Sequence, residues 1–229
     1  MDALKVRWME FAKRLGMRCA HMHAIFAELE RQYATPPRHH HTLRGHIAAC
    51  LGEFDCTRYL AKNPLAIEAA LWFHDAFFIA GSRANEAKSA AWMAARLKDA
   101  DADKRVIKAA RRLIAATTHR GIARSRDAKL VCDIDLSILG KSSRAYLRYA
   151  RGIRKEYAAV PERQWQKHRA TFLQTFLARP FIYATLPFRA AYETQARANI
   201  DEEIQRLTNP LLTEGFYTGV APFNITRLG

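Results

Sequence analysis

Apolar residues recur at helical spacing along almost the whole chain. In the first segment, Trp8, Phe11, Ala12 and Leu15 lie three or four residues apart and would share one face of a helix. The sequence has no long stretch that alternates strictly between apolar and polar residues, the pattern typical of half-buried strands. The pattern therefore predicts an all-α fold of roughly ten helices.

Capping and turn-forming residues divide this pattern into separate helices. Asn63-Pro64 is typical of a helix start, and Asn85 and Asp103 are further candidate caps. Pro36-Pro37 and Gly81-Ser82 predict breaks between helices. After the first helix, the predicted helices cover residues 20–33, 42–54, 64–78, 85–98, 103–118, 127–139, 142–157, 161–177 and 187–207.

Composition excludes several classes of protein. Of the 229 residues, 49% are hydrophobic, which is far too many for a disordered chain. No wholly apolar run is long enough to span a bilayer, so we do not expect a membrane partner. Four cysteines are too few for a disulfide scaffold, and we expect a cytoplasmic protein with reduced thiols. We expect one helical domain over residues 1–208 and a C-terminal tail over residues 209–229.

The net charge of +15 points to an anionic partner, which could be nucleic acid, a membrane surface or an anionic substrate. Residues 103–155 contain fifteen basic and four acidic residues, a net charge of +11, whereas residues 63–102 carry a net charge of −1. The basic residues form stripes on amphipathic helices. These stripes are either solvated faces or an electrostatic funnel toward a phosphate-bearing substrate.

Strongly polar residues interrupt apolar runs at two places. His74 and Asp75 follow the apolar run that starts at Ala69, and Asp133 and Asp135 lie in another apolar run. Burying such groups without partners costs several kcal/mol, whereas a divalent cation binds both imidazole and carboxylate. A further histidine, His46, lies 28 residues before His74 on the preceding predicted helix. If these helices are neighbours, the two histidines and the aspartates would form a metal site with positions left for water and substrate.

The order His, His-Asp, Asp on successive helices resembles the HD superfamily of metal-dependent phosphohydrolases, and in particular a bacterial subgroup of predicted phosphohydrolases. The similarity extends over residues 8–207. The first motif departs from the pattern, with His40 where tyrosine is usual and one extra residue between His41 and His46. The motifs that carry the resemblance are residues 38–47, 72–76, 85–89, 117–119, 133–140, 153–157 and 196–200.

The resemblance implies one divalent cation, which would be Mn, Mg, Co, Fe, Ni or Zn. Asp133 and Asp135 point about 200° apart on a helix, so only one of them can be a ligand. The family pattern favours Asp135 and leaves Asp133 as a cap or as a partner of a ligand. The expected metal ligands are His46, His74, Asp75 and Asp135.

The other expected site residues follow from the resemblance and from the charge pattern. Asp75 or Glu86 would accept a proton from the attacking water. His39, His40 and His41 form either a solvated loop or part of the pocket wall. The residues expected to bind the substrate's phosphate are Arg38, His41, His119 and Arg144.

The sequence thus predicts an enzyme, a metal-dependent phosphohydrolase acting on a nucleotide or phosphomonoester. The alternative is a non-enzymatic basic helical module that binds RNA or an acidic partner and has a structural metal. For a third possibility, an oxygenase with two irons, the sequence offers no convincing set of additional ligands. Nucleic acid is the second choice of partner, and the sequence leaves the substrate, the metal and the oligomeric state open.

Overall fold

The computed structural model describes residues 2–209, which form ten α-helices and no β-strand. This confirms the predicted all-α class and the number of helices. The predicted tail lies outside the described residues except for Asn209. No helix in the described part of the chain is long and apolar enough to cross a membrane. The helices are α1 Ala3–Arg14, α2 Cys19–Ala34, α3 Ala48–Thr57, α4 Pro64–Phe73, α5 Asn85–Asp99, α6 Lys104–Ala116, α7 Arg126–Asp135, α8 Ser143–Glu156, α9 Glu162–Leu177 and α10 Leu186–Thr208.

Short helical turns of other types supplement these helices. A π-helical turn, Leu43–Ile47, leads directly into α3. Two 3₁₀ turns, Arg58–Leu60 and Leu136–Gly140, follow α3 and α7. The predicted helix over residues 42–54 is therefore a π-turn followed by α3, and the predicted helix over residues 127–139 is α7 followed by a 3₁₀ turn.

Two of the three predicted caps are confirmed. Asn63 Oδ1 accepts a hydrogen bond from Ala66 N at 3.1 Å, and Asp103 Oδ1 accepts one from Arg105 N at 2.7 Å. The prediction for Asn85 was wrong, because Asn85 is the first residue of α5 and does not cap it. Its side-chain amide instead bonds to both the N–H and the carbonyl of Ile79, which closes the loop before α5.

The contacts within residues 2–209 divide into two compact units. The first comprises residues 2–137 and 183–185, and the second comprises residues 138–182 and 186–209. In the first unit, the Trp8 ring lies edge-on to Trp72 at 5.4 Å between centroids, and its Nε1 donates to Met22 O at 2.7 Å. Every residue from 66 to 73 in α4 is buried. Helix α4 is therefore the central helix of the first unit.

The second unit is organised around α10. The Asn199 side-chain amide donates to Leu139 O and to Lys141 O, both at 2.8 Å, and so holds the turn between α7 and α8 against α10. Gly140 in that turn permits the close approach, because a Cβ at this position would lie 2.7 Å from the carbonyl oxygen of Tyr192.

Helix α4 ends at Phe73, five residues before its predicted end at Phe78. Beyond Phe73 the chain changes to a tighter turn, in which Ala76 N donates to Phe73 O at 3.0 Å. The next N–H group, that of Phe77, donates to Ser89 Oγ on α5 at 3.0 Å. This early end places residues 74 and 75 at the C-terminus of a buried helix instead of in its middle.

Candidate metal centre

His46 lies on the π-helical turn and is 5% exposed. Ile47 N donates to Thr42 O, five residues back, at 3.2 Å, and Thr42 Oγ1 accepts from Gly45 N at 3.1 Å. Gly45 is needed here because a Cβ would lie 2.6 Å from Thr42 Oγ1. A π-turn contains one residue more than an α-turn and is frequent at functional sites. The turn keeps the His46 imidazole buried.

Arg38 ties the loop before the π-turn to the end of α4. Its guanidinium donates to the carbonyls of His41 at 2.8 Å, Asp75 at 2.9 Å and Ala76 at 2.8 Å, and lies over the Tyr33 ring. The carbonyls at the end of a helix have no partner within the helix, and a cation is favourable there. Both Nη groups of this arginine, a predicted phosphate ligand, are thus bound to the backbone around the site.

His74 is 1% exposed, and its orientation is set by one contact. Its Nδ1 lies 3.1 Å from Leu71 O, a pure acceptor, so Nδ1 carries the proton and donates. Nε2 is then the nitrogen that is available to bind a metal, and it lies 3.0 Å from His46 Nε2. Such a contact on the far nitrogen is the usual way in which proteins orient a metal-binding histidine.

Asp133 and Asp135 on α7 have different partners, as their spacing predicts. Asp135 Oδ1 lies 3.0 Å from His46 Nε2. Asp133 accepts three hydrogen bonds of 2.7 Å from the backbone of Ala184 and from the backbone and hydroxyl of Thr185. Asp135 is therefore the aspartate in the cluster, and Asp133 fastens the segment 183–185 to α7.

Four donor atoms from three separate elements converge at one point. His46 Nε2 and His74 Nε2 lie 3.3 Å and 3.2 Å from Asp75 Oδ2, and His74 Nε2 lies 3.4 Å from Asp135 Oδ1. An ion held at about 2.0–2.2 Å by nitrogen and oxygen ligands keeps neighbouring ligand atoms roughly 2.9–3.5 Å apart. The spacing of these atoms therefore fits the ligands of a single ion.

Sequence reasoning missed Cys50, which is buried beside His46. His46, Cys50, His74 and Asp135 form a buried cluster that could hold a metal ion, with candidate ligand atoms all within 4.8 Å of one another. The signal was the spacing of four residues between His46 and Cys50, which puts both on one face of a helical segment. Cys50 Sγ lies almost equally far from both ring nitrogens of His46, at 3.7 and 3.8 Å. The sulfur thus lies off the axis of the Nε2 lone pair.

The charges in this cluster depend on one another. Burial alone would lower the pKa of His46 and His74. Cys50 and the two carboxylates outweigh it at His46, and the two carboxylates outweigh it at His74, so both pKa values are raised well above the ordinary value. Burial alone would raise the pKa of Asp75 and Asp135, but the facing histidines hold both well below the ordinary value. The cluster thus favours positive charge at its centre, which protons on the imidazoles or a cation can supply.

The cluster is more exposed on its carboxylate side. The side chains of Asp75 and Asp135 are 18% and 15% exposed, whereas those of His46 and His74 are 5% and 1% exposed. Access from solvent therefore comes past the carboxylates. His119 lies on this side, 11% exposed, with its Nε2 2.7 Å from Asp135 Oδ2.

Of the three consecutive histidines, two, His40 and His41, lie beside His46. The His41 ring stacks on Phe78 at 4.5 Å and lies 5.7 Å from the His46 ring, and the His40 ring lies 4.8 Å from the His46 ring. Burial, together with His46 and His41, lowers the pKa of His40 well below its ordinary value, which keeps it neutral. His39 is exposed.

Two further predicted residues take no part in these contacts. Glu86, on the first turn of α5, has a buried Oε2 with no hydrogen-bond partner among residues 2–209. A buried oxygen in that state is a position for an ordered water or a ligand group. Arg144 is an exposed residue of α8 in the second unit.

Comparison of the chain with protein-family models, with curated proteins and with solved structures finds no match in any of the three. What is established is therefore an all-helical protein with a buried His/Cys/His/Asp cluster that could hold a metal ion.

Proposed function

We propose that the protein is a metal-dependent phosphohydrolase that acts on a phosphate-bearing small molecule, a nucleotide or phosphomonoester. The observation that carries the proposal is the convergence of His46 Nε2, His74 Nε2, Asp75 Oδ2 and Asp135 Oδ1 within 3.0–3.4 Å of one another along the five measured edges. The order of these residues along the chain also supports it, since it is the order expected from the HD resemblance.

The donor atoms favour one kind of ion. Two imidazole nitrogens with two carboxylate oxygens suit Mn, Fe, Co, Ni or Zn better than Mg, which prefers oxygen ligands and keeps its waters. We propose Asp75 rather than Cys50 as the fourth ligand, because Asp75 Oδ2 lies 3.2–3.3 Å from both Nε2 atoms while the sulfur lies off the lone-pair axis.

A bound divalent cation would lower the pKa of a water and polarise a phosphoryl oxygen. The residues of this chain would orient and deprotonate that water. His119 holds the outer oxygen of Asp135 at 2.7 Å and so fixes the direction of the inner one. Asp75 would accept the proton, or Glu86 would do so through Oε2, which makes no hydrogen bond within residues 2–209. His40 and His41, beside His46, would contact the phosphate.

The partial exposure of both carboxylates favours catalysis over a structural metal. A structural zinc site is closed by four protein ligands, whereas a catalytic site keeps a position open. Here the access for solvent lies on the side of Asp75, Asp135 and His119. A basic helical module with a structural metal would not need that access.

The proposal is tested by phosphate release. The full chain is loaded separately with Mn²⁺, Fe²⁺, Co²⁺, Ni²⁺, Zn²⁺ or Mg²⁺ and incubated with a panel of nucleotides and sugar phosphates. At least one substrate should be hydrolysed, and His46→Ala and Asp135→Ala should each reduce the rate by at least about a hundredfold. Asp99→Ala, which removes an exposed carboxylate, is the matched control and should retain the rate.

The alternative function predicts the opposite pattern. If the metal-loaded protein hydrolyses none of the panel and instead binds RNA with an affinity that falls steeply with salt, the enzyme proposal is wrong. In that case the metal-ligand variants would lose stability without any loss of catalysis.

A further inference from the structure

A cavity of about 940 Å³ lies in the first unit among α1, α3, the 3₁₀ turn Arg58–Leu60 and α4. None of its lining residues belongs to the metal cluster. One part of its wall is apolar, formed by Leu4, Val6 and Ala48, and another, more basic than acidic, holds four basic and three acidic side chains. A volume of this order is typical of sites for small molecules.

The basic part is built around a buried carboxylate. Glu68 on α4 is 0% exposed, and its Oε2 accepts hydrogen bonds from Arg14 Nη2 and from Arg58 Nη2, each at 2.7 Å. Because both bonds end on the same oxygen, the two guanidinium groups are held side by side. Two like charges at this distance repel each other, and a single carboxylate cannot neutralise both.

Two other acidic residues line the cavity: Glu10, which is exposed, and Asp55, which already has a partner. Asp55 accepts hydrogen bonds from both Nη groups of Arg7. Arg7 Nε lies 3.7 Å from Glu68 Oε1, and within the described chain both of these buried atoms lack a hydrogen bond. The polar network around Glu68 is therefore incomplete, and its three arginines and two carboxylates leave one net positive charge.

The arginines retain donors that face outward. Among residues 2–209, each of Arg14 and Arg58 donates one hydrogen bond, to Glu68, and their side chains are 44% and 33% exposed. Lys13, whose exposed side chain makes no hydrogen bond within residues 2–209, lines the same cavity. Guanidinium groups with free N–H donors match the geometry of phosphate oxygens.

We propose that this cavity binds a phosphate-bearing small molecule at a site separate from the metal centre. Lys13, Arg14 and Arg58 hold the phosphate, and Glu68 fixes the two arginines in the orientation that receives it. The apolar wall at Leu4 and Val6 contacts the part of the ligand that is not phosphate. The site does not require a metal, and it does not depend on the proposed hydrolase activity.

Calorimetric titration of the full chain with pyrophosphate, in the presence of EDTA, tests the proposal. EDTA removes metal, so binding at the metal centre does not contribute. The unmodified chain should bind, and Lys13→Gln together with Arg14→Gln should weaken binding about tenfold or more, because two cationic contacts to the phosphate are lost. Lys13→Gln alone, which breaks no hydrogen bond within the described chain, should weaken it measurably without lowering Tm.

The control is Arg31→Gln with Lys98→Gln, which makes the same change in net charge at exposed positions outside the cavity. It should change the affinity less than twofold. Asp135→Ala should also leave pyrophosphate binding intact, which separates this site from the metal centre. Equal affinity in the cavity variants and the unmodified chain, or no binding at millimolar pyrophosphate, would overturn the proposal.

Discussion

The buried ion cluster of the second unit and the metal centre of the first unit neutralise their charges in different ways. In the second unit, Arg169 is 5% exposed and donates to both oxygens of Glu203, at 2.9 and 3.2 Å, and Tyr146 donates to the same carboxylate. The positive and the negative partner are both protein groups. The metal centre in the first unit instead directs two imidazole nitrogens and two carboxylate oxygens toward one another, with no lysine or arginine among them.

This difference separates a structural group from a candidate functional one. A buried ion pair that is complete within the protein needs nothing further, and its geometry serves packing. A buried cluster of ligand atoms without its own cation is stable only when protons or a metal supply the positive charge. Burial of charge is therefore a weaker indicator of function than the identity of the group that balances the charge.

The largest effect is expected from breaking the complete pair in the second unit. Arg169→Met leaves Glu203 buried without its cation and should lower the free energy of unfolding by about 3–5 kcal/mol. Urea unfolding measures this, and the loss should be the same with and without metal. Combining it with Glu203→Leu should restore much of the stability, because no unpaired charge then remains. A loss that depends on metal would contradict the distinction between the two clusters.

The next effect concerns a ligand of the metal centre. Asp135→Ala should weaken metal binding by more than about a hundredfold. Loss of a residue that binds the metal directly should cost at least as much affinity as loss of a residue that hydrogen-bonds to a ligand. Competition titration with a metal-binding dye measures this affinity, and Asp99→Ala should leave it unchanged. Retention of metal at wild-type affinity would mean that Asp135 is not a ligand.

A smaller effect is expected when a ligand's partner is removed. His119→Ala frees the outer oxygen of Asp135 and should lower metal affinity about 10–100-fold. The same titration applies, with the exposed His168→Ala as its control. If both histidine variants bind metal equally well, the contact between His119 and Asp135 has no role in positioning the ligand.

The smallest effect is expected at Cys50. Cys50→Ser should change metal affinity less than about threefold, because the sulfur lies off the Nε2 axis of His46. The Co²⁺-loaded protein should show no intense thiolate band in the near ultraviolet. A strong band that disappears in the variant would show that Cys50 is a ligand. Cys50 would then replace Asp75 in the proposed ligand set.

The sequence predicted the helices well because their faces and caps are local. Apolar spacing and the caps at Asn63 and Asp103 identify helices α4 and α6 without knowledge of their neighbours. The end of α4 at Phe73 was not predictable in this way, because the partners of the following segment, Ser89 and Arg38, come from distant parts of the chain. The cap assigned to Asn85 failed for a local reason, since its side chain closes a loop with Ile79, six residues earlier.

The candidate site divides in the same way. The types of the ligands and their order were visible in the sequence, because polar groups within apolar runs are costly and therefore informative. The distinction between Asp133 and Asp135 was only partly visible. Helical spacing showed that they diverge, but the partners of Asp133 lie about fifty residues later, at Ala184 and Thr185.

By itself the sequence determined an all-helical chain with a small set of histidines and aspartates placed where only a partner could keep them buried. Periodicity and burial cost are properties of neighbouring residues and of residue types, so they can be inferred without a fold. The tertiary structure alone decided that the two imidazole nitrogens lie within 3.0–3.4 Å of each other and of both carboxylates, that Cys50 and His119 lie beside them, and that three arginines surround Glu68. Such contacts join residues that are distant in sequence, and only the packing of helices fixes the distances between them.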